Sequence, residues 1–337
     1  MKNDVKIRSE MLSWYDMHAR VLPWRSKPNE RPDPYHVWLS EVMLQQTTVQ
    51  AVIPYFEKFI SIWPTVHDLA SASQDDVLRE WAGLGYYSRA RNLYKCAQTI
   101  VDDHSGVFPN DIKTLKSLPG IGDYTSAAIV SIAFDIPSVV IDGNVERVIS
   151  RLHCIETPLP DSKPIIREYA EKLFIGDNVD RPSCFAQSLM DLGATICTPK
   201  SPKCSICPIS QYCVAFKQGD AQDYPKKRKK AKIPEKYGIA YIYVHDGKVG
   251  VEKRSEKGML AGMVGFPTGE WGEDLPEGLD NELKAYKIRH VFTHFALTLY
   301  PKIIYQETDK MIPCKEVDKI GLPTLFKKLW NMIESDL

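Results

Sequence analysis

Neither sign of charge prevails in this chain of 337 residues, where 43 Lys and Arg balance 43 Asp and Glu. That balance excludes attraction of a polyanion by bulk charge and leaves the distribution of charge as the useful signal. No apolar run approaches the about twenty residues that cross a bilayer. Residues 1–10 are polar and charged and lack the apolar centre of a secretory signal. These absences lead to the expectation of a cytoplasmic protein with no membrane partner. Internal repeats are missing, and low complexity is confined to one basic stretch. A disulfide framework is disfavoured too, because nothing marks the chain for an oxidising compartment and its length needs no such staples.

What is present divides the chain in two. Residues 35–215 read as mostly helical, with apolar residues at three-and-four spacing, as in Val77, Leu78, Trp81 and Leu84. Breakers punctuate them, among them Pro64, Gly83, Gly85, Pro109, Pro119, Gly120 and Gly122. Residues 218–234 read as a basic linker that includes Lys226, Lys227, Arg228, Lys229, Lys230 and Lys232, either a solvated connector or a strap on phosphates. Beyond it, Tyr241 to Val244 and Val249 to Val251 flank Asp246-Gly247, the signature of a hairpin with a two-residue turn. Residues 291–304 alternate like a strand, and 325–333 read as a closing amphipathic helix. The expected division is 1–217, 218–234 and 235–337, a mostly α domain followed by a small α+β one.

Three features carry chemistry. Cys197, Cys204, Cys207 and Cys213 follow C-x6-C-x2-C-x5-C. Four thiolates converging on one centre hold zinc or a [4Fe–4S] cluster, and the spacing leaves both open. Leu118-Pro119-Gly120-Ile121-Gly122 lies between two helical segments, 111–117 and 124–134. Two glycines there permit a tight turn whose N–H groups can meet a phosphate without side-chain charge; an ordinary helix–helix turn is the plainer alternative. The third feature is a pair of carboxylates. Asp142, in Ile141-Asp142-Gly143-Asn144-Val145, stands where a helix cap is expected. Glu41 is the only ionisable residue between Val37 and Thr47. Burial there raises its pKa, as a general acid near neutral pH requires.

Hairpin and cysteines, in this order, resemble the helix-hairpin-helix DNA glycosylase superfamily that includes endonuclease III. The resemblance implies a [4Fe–4S] cluster on Cys197, Cys204, Cys207 and Cys213, and a catalytic role for Asp142. Ser40-Glu41-Val42-Met43-Leu44-Gln45-Gln46-Thr47, the run from Trp81 to Leu93, and Leu22-Pro23-Trp24-Arg25 resemble the adenine-excising branch. Backbone-cutting relatives carry a Schiff-base lysine two residues after the second hairpin glycine. Tyr124 stands there, and a phenol forms no iminium, so base excision without efficient lyase activity is implied. By the same resemblance Glu41 protonates the adenine, Asp142 steadies the sugar, and Asn144 and Tyr124 position Asp142 and the sugar. Gln46 and Tyr86 wedge the duplex, and Arg25, Leu118, Gly120 and Gly122 lie among the DNA contacts. The implied partner is duplex DNA with adenine opposite 8-oxoguanine, bound by a monomer in a bacterial cytosol, at the nucleoid. The region expected to form the hairpin module is 25–134; 1–24 with 135–217 form the cluster module.

Lys257 to Pro267 resembles the start of a Nudix-like domain, as found after the glycosylase domain in that branch. No R-E-x-x-E-E helix follows Phe266; Glu270, Glu273, Asp274 and Glu277 are scattered. The domain is expected to recognise rather than hydrolyse. Phe292-Thr293-His294 stands where relatives carry Phe-Ser-His, which assigns Thr293 and His294 to sensing 8-oxoguanine.

Overall fold

The computed structural model describes residues 2–26, 30–176, 179–228, 233–255, 258–277, 279 and 286–337. The chain forms two compact units, one of Met1–Ser71 with Asn92–Lys229, the other of Ala72–Arg91 with Lys230–Leu337. The second unit therefore takes in residues 72–91, which the sequence groups with the N-terminal domain. No helix among the described residues is long and apolar enough to cross a membrane.

The helices in chain order are α1 (Lys2–His18), α2 (Pro34–Leu44), α3 (Val49–Ile62), α4 (Val66–Ser71), α5 (Gln74–Glu80), α6 (Ser88–His104), α7 (Ile112–Ser117), α8 (Asp123–Phe134), α9 (Gly143–Leu152), α10 (Lys163–Phe174), α11 (Pro182–Thr195), α12 (Val214–Gln218) and α13 (Thr324–Ile333). Their starts follow local chemistry. Asp33 accepts from the Tyr35 amide at 2.8 Å and Pro34 opens α2, while Asp111 caps α7 through the Thr114 amide. α8 is buried along most of its length, from Thr125 to Ile132, because its sequence is apolar on every side. It packs against α2 and α11, and α11 packs against α9 and α1. Trp38, Leu39 and Met43 of α2 are fully buried, each contributing about 2 kcal/mol or more by burial. α2 is thereby fixed by its core face.

The segment expected to be a free linker is tied down along its first half. Tyr224 is buried, its carbonyl accepts from Arg151, and Leu159 pairs with Lys227. Lys226 lies over the Tyr224 ring and Arg228 pairs with Asp161. An aromatic in the linker, which charge counting ignores, supplies the burial. The rest of the basic run, residues 229–232, lies outside the described residues.

The second unit centres on a five-stranded sheet of order β5-β6-β1-β2-β7, where β1 is Glu235–His245, β2 Lys248–Gly250, β5 Ile288–Val291, β6 Ala296–Tyr305 and β7 Met311–Pro313. β1 and β6 run parallel from Glu235 opposite Ala296 to Val244 opposite Tyr305, and the other pairs are antiparallel. β3 (Glu252–Lys253) and β4 (Val264–Gly265) form a small separate pair. The turn between β1 and β2 has positive φ at Asp246 and Gly247, 46° and 67°, the geometry the Asp-Gly pair predicts. α13 seats Leu325, Phe326, Leu329, Trp330 and Ile333 in the same core as Ile242, Leu297 and Phe266. The expected strand over 291–304 is two strands, with a turn at residues 292–295.

Gly265 admits Phe326: a Cβ there would lie 2.5 Å from the ring. Gly265→Ala is expected to destabilise this unit by about 1–3 kcal/mol through overpacking. Gly269→Ala, whose Cβ meets nothing nearer than 3.5 Å, is expected to be neutral. Urea melts of the two variants check the contrast.

Candidate active site and cluster segment

Glu41 leaves the buried flank of α2 and is 7% exposed. Its Oε2 accepts a 2.6 Å hydrogen bond from the hydroxyl of Tyr124, on the first turn of α8. Burial pushes the Glu41 carboxyl up to about 7; the Tyr124 bond and the Arg25 charge pull it down, and the Asp142 charge pushes it up. Tyr124 is itself raised well above the usual phenol range, by burial first and then by the Glu41 and Asp142 charges. Glu41, Tyr124 and Asp142 therefore share one electrostatic environment.

Asp142 both caps α9 and stays reachable. Its Oδ1 accepts from the amides of Asn144 and Val145 at 2.9 and 2.7 Å, and its Oδ2 from Asn144 Nδ2 at 2.8 Å. Burial raises its pKa, opposed by those three bonds and by the Arg147 charge. Three donors aimed at one carboxylate favour its ionised form. The Tyr124 hydroxyl bonds Glu41 and the Asn144 amide bonds Asp142, whereas the sequence reading has these two residues position Asp142 and the sugar.

Behind Asn144 lies a contact that the sequence reading missed. Arg147 donates to Asn144 Oδ1 at 2.9 Å, to the Gly193 carbonyl at 2.7 Å and to the Cys197 carbonyl at 2.7 Å. Gly193 is needed because a Cβ would fall 2.5 Å from Asn144 Cβ. A signal was available: Arg147 follows Asn144 by three residues and precedes Arg151 by four, so all three share a helix face.

Arg25 is held by a buried carboxylate. Its guanidinium makes a two-pronged pair with Asp191 at 2.7 and 2.7 Å, and Arg20 adds a third contact at 2.6 Å. Asp191 is fully buried. Burial alone would raise it, but the Arg25 bonds and charge, with those of Arg20, hold it below the usual carboxylate range. A buried carboxylate requires such partners, and a pair 166 residues apart in the chain leaves no local trace in sequence.

Leu118 is buried and closes α7, Gly120 has φ 76°, and Gly122 starts α8 with no side-chain cap. The hairpin thus offers backbone, not side chains. Gln46 is exposed with φ 58°. In the second unit Tyr86 is 50% exposed with φ 48°, after Gly83 and Gly85, which also have positive φ. Left-handed backbone at a residue with a side chain is strained. Phe292 packs against Trp271 and Phe295, which turns Thr293 and His294 outward to solvent.

Cys197, Cys204, Cys207 and Cys213 line one small cavity with Arg151, Ile196, Ser210, Phe216 and Ala221. All four are free thiols. Buried Arg151 donates to Cys197 Sγ at 3.2 Å and to the Thr198 carbonyl at 2.8 Å. The sulfurs ring the cavity without closing on one point; among the described residues no three His, Cys, Asp or Glu side chains gather for a single ion. Soft donors spread around an apolar space beside a guanidinium suit a group with its own volume and negative charge.

Family models match in three places. One described as HhH-GPD superfamily base excision DNA repair protein covers residues 39–174, a NUDIX domain model covers 238–332, and an iron–sulfur binding domain of endonuclease III covers 197–213. The first unit therefore has the fold of helix-hairpin-helix base excision repair proteins, with a [4Fe–4S] cluster as cofactor. The chain is 35% identical to the adenine DNA glycosylase of Buchnera aphidicola from Schizaphis graminum, across 96% of this chain and 97% of that one. It is 32% identical to the adenine DNA glycosylase of Mus musculus, across 97% and 78%. A solved thermostable thymine-DNA glycosylase superposes with TM-score 0.56 and 30% identity, covering 64% of this chain and 98% of its own. The chain belongs to the adenine DNA glycosylase family.

Tyr124→Phe removes a bond that favours ionised Glu41 while leaving its burial intact. The Glu41 pKa is expected to rise further above about 7, as read by carboxyl-carbon NMR titration against the unchanged protein.

Proposed function

We propose that the chain is a monofunctional DNA glycosylase that hydrolyses the N-glycosidic bond of adenine opposite 8-oxoguanine, or guanine, in duplex DNA. The observation that carries this reading is the pair of unlike carboxyls. Glu41 retains a proton to about 7, whereas Asp142 is fed by three donors. The adenine leaves the stack at a cost of roughly a few kcal/mol, least at a mispair. Glu41 transfers its proton to the imidazole ring of the base. The bond to the sugar breaks, its electron pair leaves with the now neutral adenine, and C1′ becomes electron-poor. Ionised Asp142 stabilises that carbon by charge or by a transient covalent bond, as paired carboxylates do in glycoside hydrolysis. Water adds to C1′ and its proton returns a carboxylate to the acid form. Tyr124 has no amine for an imine with C1′, so the abasic strand stays intact.

The rest of the chain serves that step. Cys197, Cys204, Cys207 and Cys213 ligate the cluster, and Arg151 offsets its negative charge. Backbone N–H groups about Gly120 and Gly122 meet phosphate, Gln46 and Tyr86 enter the stack, and Thr293 and His294 read the 8-oxoguanine. A monomer suffices, since all of these lie on one chain.

Likeness to a thymine-DNA glycosylase supports a second reading, removal of thymine opposite guanine. Thymine has no imidazole ring for Glu41 to protonate, and the Nudix-like domain gives a lesion reader that this reading leaves idle. A cleavage assay separates the two. Adenine opposite 8-oxoguanine is expected to be released, thymine opposite guanine is not, and strand scission is expected only after alkali. Asp142→Asn is expected to bind the duplex and release no base. Turnover by that variant would remove Asp142 from the chemistry.

A further inference from the structure

Tyr86 stands on a turn whose shape and whose position are secured by different contacts. Shape is local. Trp81 Nε1 donates to the Gly85 carbonyl at 3.1 Å, Arg89 Nη2 to the Leu84 and Gly85 carbonyls at 3.2 and 3.3 Å, and the Gly83 amide to Tyr87 Oη at 3.3 Å. The Arg89 guanidinium also sits 5.7 Å from the Tyr86 ring centre. These bonds tie the turn to itself.

Position comes from the C-terminal part of the same unit, which grips the segment on both sides of the turn. Before it, Gly321 lies against Arg79 and Ala82, where a Cβ would meet atoms at 3.4 and 3.6 Å, and Lys253 pairs with Asp75 at 2.9 Å. After it, Arg91 Nη1 donates to the carbonyl of Ala261 at 2.6 Å. The Lys253 pair is exposed and contributes little. The Arg91 bond is short and charge-assisted, and Ala261 is 3% exposed. Its acceptor is rigid as well. Ala261 stands between Leu260 and Gly262, at φ 57° and 71°, in a turn closed by Met263 N to the Leu260 carbonyl at 3.2 Å and by Gly262 N to the Ser255 carbonyl at 2.9 Å. That turn leads through β4 into the core at Phe266.

We infer that Arg91 is a positioning residue for the wedge: through Ala261 it anchors the Tyr86 turn to the Nudix-like domain, so that the part of the chain that reads the lesion also holds the side chain that enters the stack. This rests on the proposed reading of Tyr86 as a wedge. A wedge pushed between stacked bases meets a resisting force, which an anchor outside the turn helps to bear.

The test follows extrusion rather than chemistry. A duplex carrying 2-aminopurine opposite 8-oxoguanine is mixed with full-length protein, and the fluorescence rise on unstacking is timed. Arg91→Ala is expected to slow the rise about tenfold, the factor for losing one hydrogen bond from a charged donor. Arg91→Lys, which keeps a donor for the Ala261 carbonyl, is expected to recover most of it. In a Tyr86→Ala background, Arg91→Ala is expected to add nothing, because anchor and wedge act as one. An unchanged rise in Arg91→Ala overturns the inference. So does equal slowing with and without Tyr86, which would make Arg91 a fold contact only, as would failure of Lys to recover a rate lost along with melting temperature. Release of adenine by the unsubstituted protein, measured alongside, tells these outcomes from failure of the glycosylase reading itself.

Discussion

The hydrogen bond from Tyr124 to Glu41 is the contact on which the site turns. It places a carboxyl in a desolvated pocket, which favours its neutral form, and supplies one donor that limits how far the shift goes. Without burial Glu41 would be an ordinary carboxylate with no proton to give near neutral pH. The second carboxyl of the pocket, Asp142, adds its charge to the same balance. Burial raises both carboxyls, and the Asp142 charge raises Glu41 further. Donors set the two apart: three converge on Asp142 and one on Glu41.

The scaffold exists to keep those unlike environments side by side. α2 is pinned by Trp38, Leu39 and Met43, and α8, buried from Thr125 to Ile132, presents Tyr124 from its first turn. Asp142 is fixed by the helix it caps, and that helix approaches α11 closely only because residue 193 is glycine. Arg147 then joins Asn144 to the carbonyl of the first cluster cysteine, and Arg151, one turn further on, reaches its sulfur. One helix, α9, thus bonds both the cysteine segment and the residue that holds Asp142. Asp191 does similar work at the chain's start, neutralising Arg20 and Arg25 inside the core.

Much of this was legible before any coordinates. Cysteine spacing, the hairpin glycines and a lone acid in an apolar helix are local signals, each contained in a short stretch of chain. The expected cap at Asp142 is present, and the amides that form it are the ones that favour the carboxylate's ionised form. Contacts across large sequence separations were not legible. Tyr124 and Glu41 are 83 residues apart, Arg25 and Asp191 166, and Arg91 and Ala261 170. Periodicity cannot report such pairings, nor that β1 and β6 lie parallel. For the same reason the sequence grouped residues 72–91 with the helical domain: their helical texture is real, but where they pack depends on Arg91, Asp75 and their distant partners.

The central claim is that a buried, protonated Glu41 drives release of the base. Its most direct test is the pH dependence of kcat/KM for adenine release under conditions that report the free enzyme. Because the acid must carry its proton, the rate is predicted to fall tenfold per pH unit above a pKa of about 7. Glu41→Gln is predicted to be slow and to lose that limb. A rate that stays level from pH 6 to well above pH 8, or an unchanged limb in Glu41→Gln, would contradict the assignment of Glu41 as the acid.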